Sequence, residues 1–441
     1  MQGGRIIDPA QGVDMIGSLL ISEGKISWLG EVGADPPASD YDVLPAKGLV
    51  VSPGFIDFHC HLRQPGFEEK ETIATGSRAA AKGGFTTVCC MPNTRPPLDN
   101  GFTIDYLKIE IAREGVIRVL PIGCISEGRR GKKLAPLSEL AAVGVIGFSD
   151  DGAPVMDATV MRQALEFSCT LGLPIIDHCE HTDLTQGGVM NRGKLSVRLG
   201  LRGMTAIAEE MMVDRDIALA RVTGGWLHVA HVSTEGSVDL IRRARERGIK
   251  VTAEVTPHHL TLTEEMVTLS GTNAKVNPPL RTERDTQTLL AGLKEGVIDI
   301  IATDHAPHTE ADKRCDFAQA AFGISGFETA FGSLMGLVHE GKMTLPVLIA
   351  RLTAGPARII GDKYGKLGTL VPGAPADVTV FDPDRSWLVD TSEFLSKGRN
   401  TPLAGSVLKG KVVATISQGK LVYKDNSITV ESAAGRITEE V

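Results

Sequence analysis

Residues of the kinds that bind divalent cations occur at matching places along this chain. His59 and His61 stand two apart in Asp57-Phe58-His59-Cys60-His61, at the end of an apolar run. Alternation along a strand turns both imidazoles to one side. Two neutral imidazoles on one side suit Zn²⁺ or a similar borderline ion. Alone, the pair is equally two polar residues leaving a strand. His178 ends LPIIDHC and His231 lies in WLHVAHVS, and either alone reads as a hydrogen-bonded core residue. Asp304, in ATDHAPHT, could simply cap a helix. It could also hold a metal through one oxygen and take a proton through the other. Two like-charged ions need an anion between them, and Ser149-Asp150-Asp151-Gly152 offers one. A carbamylated Lys would also serve, but no Lys ends that run. Asp151 is favoured as the bridge, with Asp150 orienting a neighbour or capping the next turn. The set His59, His61, Asp151, His178, His231 and Asp304 gives four imidazoles and two carboxylates for two ions. A position stays open for a shared hydroxide that is nucleophilic at neutral pH.

These side chains act together only if remote segments converge. Eight short apolar runs, at 49–59, 85–93, 117–125, 143–151, 173–179, 226–233, 249–257 and 297–305, read as strands. Helical stretches at 71–82, 103–114, 156–171, 204–222, 235–247 and 283–295 lie between them, with a short, weak one at 134–142. That alternation predicts βα units, and eight of them predict a closed (β/α)8 TIM-like barrel over 51–365 rather than an open doubly wound sheet. His59, Asn93, Asp151, His178, His231 and Asp304 all fall at the C-terminal ends of runs, which open onto one face of a barrel. Residues 1–50 and 366–441 show only short strands with Gly near the breaks. They predict a small composite β-sandwich module built from both termini, and leave open whether its first strand is complete.

The bulk composition narrows the classes. A chain of 441 residues with 42% hydrophobic residues can bury a large core, and its 49 Gly and 23 Pro are too few for low complexity. A net charge of −8 argues against a nucleic-acid or anionic-membrane partner. The seven Cys are odd in number and scattered, as in a reduced cytoplasmic protein. Neither a signal-peptide pattern nor an apolar stretch long enough to span a membrane is read.

The motifs together resemble the class I dihydroorotases, cyclic amidohydrolases of the amidohydrolase superfamily. GFIDFHCHLRQPG and ATDHAPHT are similar to the two signatures of that family. MPNT (91–94), GFSDDG (147–152), DHCE (177–180), VAHVST (229–234), EVTPHHL (254–260), NPPLR (277–281) and AFGISGFET (321–329) match its blocks in order. Departures are Gln64, where Glu is usual, and His181, where an acid often follows DHCE. The resemblance covers essentially the whole chain. It implies reversible hydrolysis of (S)-dihydroorotate to N-carbamoyl-L-aspartate in pyrimidine biosynthesis. It also implies two Zn²⁺ ions, for which Co²⁺ or Mn²⁺ could stand, and Asp304 as general acid and base. His61, Arg63, Asn93, Asn277, His308, Phe322 and Gly323 would contact the small-molecule substrate. Arg63 would clamp its carboxylate, since guanidinium fits a carboxylate bidentately and Lys does not. Gly323 and Gly326 bracket a segment expected to close over the site. His228, His258, His259, His305 and His339 are read as structural, and Cys60 as buried filler on the other side of its strand. The rival readings are a dihydropyrimidinase, hydantoinase or allantoinase, and a non-catalytic scaffold for aspartate transcarbamoylase. A homodimer, or association of the active enzyme with that transcarbamoylase, is compatible with the resemblance.

Overall fold

The computed structural model describes residues 1–34, 37 and 41–431, so the last ten residues of the expected C-terminal segment lie outside the described residues. Four strands come first: β1 Gly4–Asp8, β2 Val13–Ser22, β3 Lys25–Glu31 and β4 Val50–Pro53. Next are β5 Phe55–Cys60, β6 Phe85–Cys90, β7 Arg118–Pro121, β8 Phe148–Ser149 and β9 Ile175–Asp177. A short pair, β10 Met190–Asn191 and β11 Gly203–Met204, precedes β12 Leu227–Val229, β13 Val251–Val255 and β14 Ile300–Ile301. The chain ends with β15 Val378–Leu388, β16 Val407–Ser417 and β17 Lys420–Lys424.

Eight strands follow one another in parallel pairings that return to their start. β5, β6 and β7 pair in that order, as do β8, β9, β12, β13 and β14. A parallel bridge between Gly123 and Phe148 joins the two groups on one side. On the other, Cys60 bridges His305, with the Asp304 N–H donating to His59 O and the His61 N–H to His305 O, both at 2.9 Å. One apolar cluster, including Ile56, Phe58, Cys89, Leu120, Ile176 and Ile300, takes residues from five of these strands. A second takes Val88, Val119, Ile175, Val229 and Val255 from β6, β7, β9, β12 and β13 and packs them on the helices. Burial on both faces is why these runs are continuously apolar rather than alternating.

Helices Ile73–Lys82, Gly101–Glu114, Leu137–Val143, Ala158–Leu171, Ile207–Thr223, Glu235–Glu246 and Glu283–Glu295 occupy the expected intervals. Thr72, Asn100, Asp157, Thr234 and Thr282 accept first-turn N–H groups, which sets their starts. Left-handed Gly144, Gly172, Gly224 and Gly296 end four of them. A further helix, Phe327–His339, has no counterpart among the expected stretches. Its buried residues recur too densely to show an amphipathic period.

The run 49–59 is two strands in two sheets rather than one. β4 joins a seven-stranded sheet in the order β17-β16-β15-β4-β1-β2-β3, so both ends of the chain share one sheet. Gly54 marks the transfer, and a Cβ there would meet Thr86 Oγ1 at 2.1 Å. The sheet has its own core of Ile6, Leu19, Ile26, Val51, Val378 and Val413. Among the described residues no helix is long and apolar enough to cross a membrane.

Candidate metal centre

Strand ends bring the predicted ligands to one place. His59 is the penultimate residue of β5, His178 directly follows β9, and Asp151 and His231 stand two residues past β8 and β12. Asp304 is three past β14. Among the described residues six non-glycine residues have positive φ, and Arg63 (63°), Arg129 (55°), His231 (31°) and Asp304 (47°) are four of them. Such backbone is sparsely populated, costs of order 1–3 kcal/mol per residue, and persists where surroundings enforce it.

The Asp151 carboxylate lies between two pairs of imidazoles, with one oxygen toward each. Its Oδ2 is 3.5 Å from both His59 Nε2 and His61 Nε2. Its Oδ1 is 3.3 Å from His231 Nε2 and 3.5 Å from His178 Nδ1. Asp304 Oδ1 joins the first pair, 3.0 Å from His61 Nε2 and 3.6 Å from His59 Nε2. Ligand atoms on a tetrahedral zinc, each at about 2.0–2.1 Å, stand roughly 3.3 Å apart. The spacings here therefore fit a cation among His59, His61 and Asp151, with Asp304 Oδ1 beside the two imidazoles, and another among Asp151, His178 and His231. Among the described residues the buried His59 Nε2 finds no hydrogen-bond partner, as a nitrogen kept for a metal would not. Asp150 turns elsewhere: it accepts from the Ile125 and Ser126 N–H groups at 2.9 and 3.1 Å and from Ser126 Oγ.

The electrostatics ask for cations too. Burial lowers the affinity of His59 and His178 for protons, yet neighbouring carboxylates reverse the sign. Glu254, Asp151 and Asp304 hold His59 well above its usual range, and Asp151 and Glu180 raise His178 to about 10. Asp151 and Asp304, buried as they are, are held below the usual carboxylate range by His59, aided by His178 and His61 respectively. The site draws positive charge onto His59 and His178, and bound metal would supply that charge in place of protons.

Several supporting residues went unnoticed in the sequence. Glu254 on β13 lies 2.5 Å from His59 Nδ1 and 3.3 Å from His228 Nε2, and it accepts the His231 N–H. Its signal was a Glu inside the buried strand VTAEV, where an unpaired charge is rarely tolerated. Glu180 holds His178 Nε2 at 2.9 Å and also accepts from Asn277 Nδ2 at 2.8 Å. Arg129 donates to the carbonyls of Asp150 and Asp151 at 3.0 and 2.6 Å. Asp57 accepts both the N–H and the hydroxyl of Thr303, at 2.7 Å each, beside Asp304.

The remaining predicted residues lie beside this centre. Asn93 Oδ1 takes the His61 Nδ1–H at 2.9 Å. Arg63, mostly buried, donates to Pro307 O at 3.2 Å and lies 3.4 Å from His308 Nε2. His308 Nε2–H donates to Phe322 O at 2.7 Å. The Gly323 N–H is engaged with Lys275 O at 2.9 Å, and its carbonyl accepts from Asn400 Nδ2 at 3.0 Å. Asn400, absent from the predicted set, also accepts the His308 N–H at 3.0 Å. The segment between Gly323 and Gly326 is pinned here, with the Gly326 N–H on His305 Nδ1 and the Ser325 N–H on Asn400 O. Gln64 holds Glu110 and the Ile73 N–H, at the start of the first helix after β5. His181 Nδ1 is buried and, among the described residues, has no partner. Cys60 packs in the layer between strands and helices. His228, His259 and His305 hydrogen-bond to Thr252, Thr256 and Glu71. His258 is buried, and His339 meets Pro383 O.

Comparison with known proteins places this geometry in context. Residues 48–237 match the family described as dihydro-orotase-like, and residues 202–423 match the amidohydrolase family. Proteins named dihydroorotase are similar along nearly their whole length. The one from Pelotomaculum thermopropionicum is 49% identical, covering 97% of this chain and 99% of its own. Those from Syntrophus aciditrophicus and Aquifex aeolicus are 47% and 48% identical, over 97% and 96% of this chain and 99% of each relative. Among solved structures, the dihydropyrimidinase from Brevibacillus agri superposes with TM-score 0.84 at 24% identity, over 98% of this chain and 96% of that one. The L-hydantoinase from Arthrobacter aurescens gives 0.85 at 24%, over 98% and 97%. These structures show the fold that the chain shares.

Proposed function

The chain belongs to the dihydroorotase family of amidohydrolases, and on that premise we propose how its residues divide the work of opening a dihydroorotate ring. The activity is that of a dihydroorotase: reversible hydrolysis of the cyclic amide of dihydroorotate to N-carbamoyl-aspartate. The reading of the site rests above all on Asp151, whose two oxygens face two separate imidazole pairs.

In this reading His59, His61, Asp151 and Asp304 would hold one ion, and Asp151, His178 and His231 the other. The imidazole-rich set favours zinc, with cobalt or manganese as substitutes. When bound, the pair lowers the pKa of water toward neutrality and polarises an amide carbonyl. Asp304 uses its second oxygen to take a proton from the attacking water and return it to the leaving ring nitrogen. Arg63 is the natural partner of the substrate carboxylate, because among the described residues no carboxylate lies within ion-pair distance of it. A mostly buried guanidinium without a counter-charge is costly, and an anionic substrate provides the missing partner. His61 and Asn93, with Asn277, His308, Phe322 and Gly323, line the remainder of the ring's surroundings.

We read the cycle of eight strands as a (β/α)8 barrel that begins after Gly54, with the shared sheet as a β-module from the two ends of the chain. Metal content and turnover, measured on one sample, test the assignment. We expect two equivalents of metal, and dihydroorotate hydrolysed in preference to dihydrouracil and allantoin. A metal-free chain without turnover would point to a scaffold, and preference for dihydrouracil to a dihydropyrimidinase.

A further inference from the structure

Two lysines beside the candidate substrate pocket are buried, and among the described residues neither has a carboxylate in ion-pair contact. Lys275 is 2% exposed and Lys313 is 6% exposed. Lys275 Nζ donates to Phe317 O at 2.7 Å and Ala318 O at 3.1 Å, and lies 4.4 Å from the centre of the Phe322 ring. Lys313 Nζ donates to Ala321 O at 2.7 Å, Thr272 O at 3.1 Å and Lys275 O at 3.3 Å. Burying an ammonium against dipoles alone is costly. Burial, with Lys275 beside it, draws the Lys313 ammonium down to about 7.

Their bonds cross between two segments. Lys275 rises from 272–277 and grips 317–322, while Lys313 ends the helix Glu310–Lys313 and grips both. The Gly323 N–H on Lys275 O adds a third tie. Asn277 lies two residues beyond Lys275, and Phe322 O receives the His308 proton that faces Arg63. The two segments thus carry Asn277, Phe322 and Gly323, three of the residues assigned to the substrate, yet among the described residues no strand joins them. We propose that Lys275 and Lys313 are positioning residues for substrate binding, a cross-brace that sets Phe322 and Gly323 against Asn277 and His308. The inference rests on reading those four as the substrate wall.

The test is steady-state kinetics on fully metallated Lys275→Met and Lys313→Met, with Asn277→Ala as a probe of the wall itself. Both lysine variants should keep their metal and hold kcat within about threefold, while KM for dihydroorotate rises about tenfold. Amide exchange should quicken in 314–323 and stay unchanged in β5 and β13. Lys313→Arg, which keeps the charge and the donors, should restore most of the KM. Wild-type KM in both lysine variants beside a raised KM in Asn277→Ala overturns the brace. Wild-type KM in Asn277→Ala as well overturns the wall reading first. Should the Met variants not fold, Lys313→Gln against Lys313→Arg decides: a raised KM for Gln alone upholds the brace, and equal values overturn it.

Discussion

The two sides of the candidate mouth are held by different kinds of bond. On the metal side carboxylates hold imidazoles: Glu254 holds His59, Glu180 holds His178, and Asp151 touches all four. On the substrate side carbonyls do the holding. Phe322 O takes His308, Pro278 O takes His259, and five carbonyls take Lys275 and Lys313. The proton affinities of His178 on the first side and of His308 and His259 on the second diverge, although burial lowers His61 on the first side as well. His178 rises to about 10 against its burial, whereas burial takes His308 and His259 down to about 3, with Arg63 adding to the first and His231 to the second. One side is stocked with anions in excess of its own cations, which suits metal ions. The other keeps Arg63 while its imidazoles stay neutral, which suits a carboxylate. Charge is thus sorted within one mouth before any ligand arrives.

The sharpest way to break this contrast is at its seam. Asp304→Asn removes the proposed proton carrier and leaves the shape, so turnover should fall about 10²–10⁴-fold with metal content unchanged. Near-normal kcat, measured with metal content on the same preparation, would strip Asp304 of its role. Glu254→Gln tests whether the anion excess matters beyond the direct ligands. It removes the charge behind His59 and His228, and metal affinity in chelator competition should drop about 10–100-fold. Unchanged affinity would mean that the carboxylates on this side are incidental.

Much of the metal side could be read in the sequence, for a physical reason. Apolar runs mark strands, strand ends share a face, and reactive side chains at those ends stand out against the runs. Glu254 escaped because it lies inside a run, where the eye follows Val251, Ala253 and Val255. The substrate side was legible only through resemblance. Its organisers are backbone carbonyls of Ala318, Ala321 and Pro278, which every residue type carries, and Asn400, far from any motif. The break at Gly54 was hidden because Val50–Pro53 and Phe55–Cys60 are equally apolar, though they serve different sheets. The helix Phe327–His339 was hidden by its even hydrophobicity.

Arg63→Lys probes the cation on the substrate side. A point charge replaces a planar fork, so KM for dihydroorotate should rise about tenfold with kcat less affected. An unchanged KM would remove Arg63 from the carboxylate.

His259→Gln tests the neutral character of that side, with the smallest expected effect. With the ring neutral, His259 Nε2–H donates to Pro278 O at 3.0 Å and its Nδ1 accepts from Thr256 Oγ1 at 2.7 Å. Burial, helped by His231, keeps its folded pKa near about 3, below the unfolded value of roughly 6.5. Below that unfolded value the unfolded chain binds a proton that the folded one refuses. The stability contributed by this group is therefore complete above pH 6.5 and is lost as pH falls toward 3. Gln keeps one donor and one acceptor and cannot be protonated. Between pH 7 and pH 6 the variant should lose less stability than the parent by somewhat under about 1 kcal/mol, read from urea unfolding at both pH values. His308 titrates alike in both proteins, whereas His258, its ring centre 4.7 Å from that of His259, is lowered in part by His259, so the difference reads His259 together with its hold on His258. Parallel pH dependences would show that this imidazole is as free to take a proton folded as unfolded, and the contrast between the two sides would then rest on Arg63 alone.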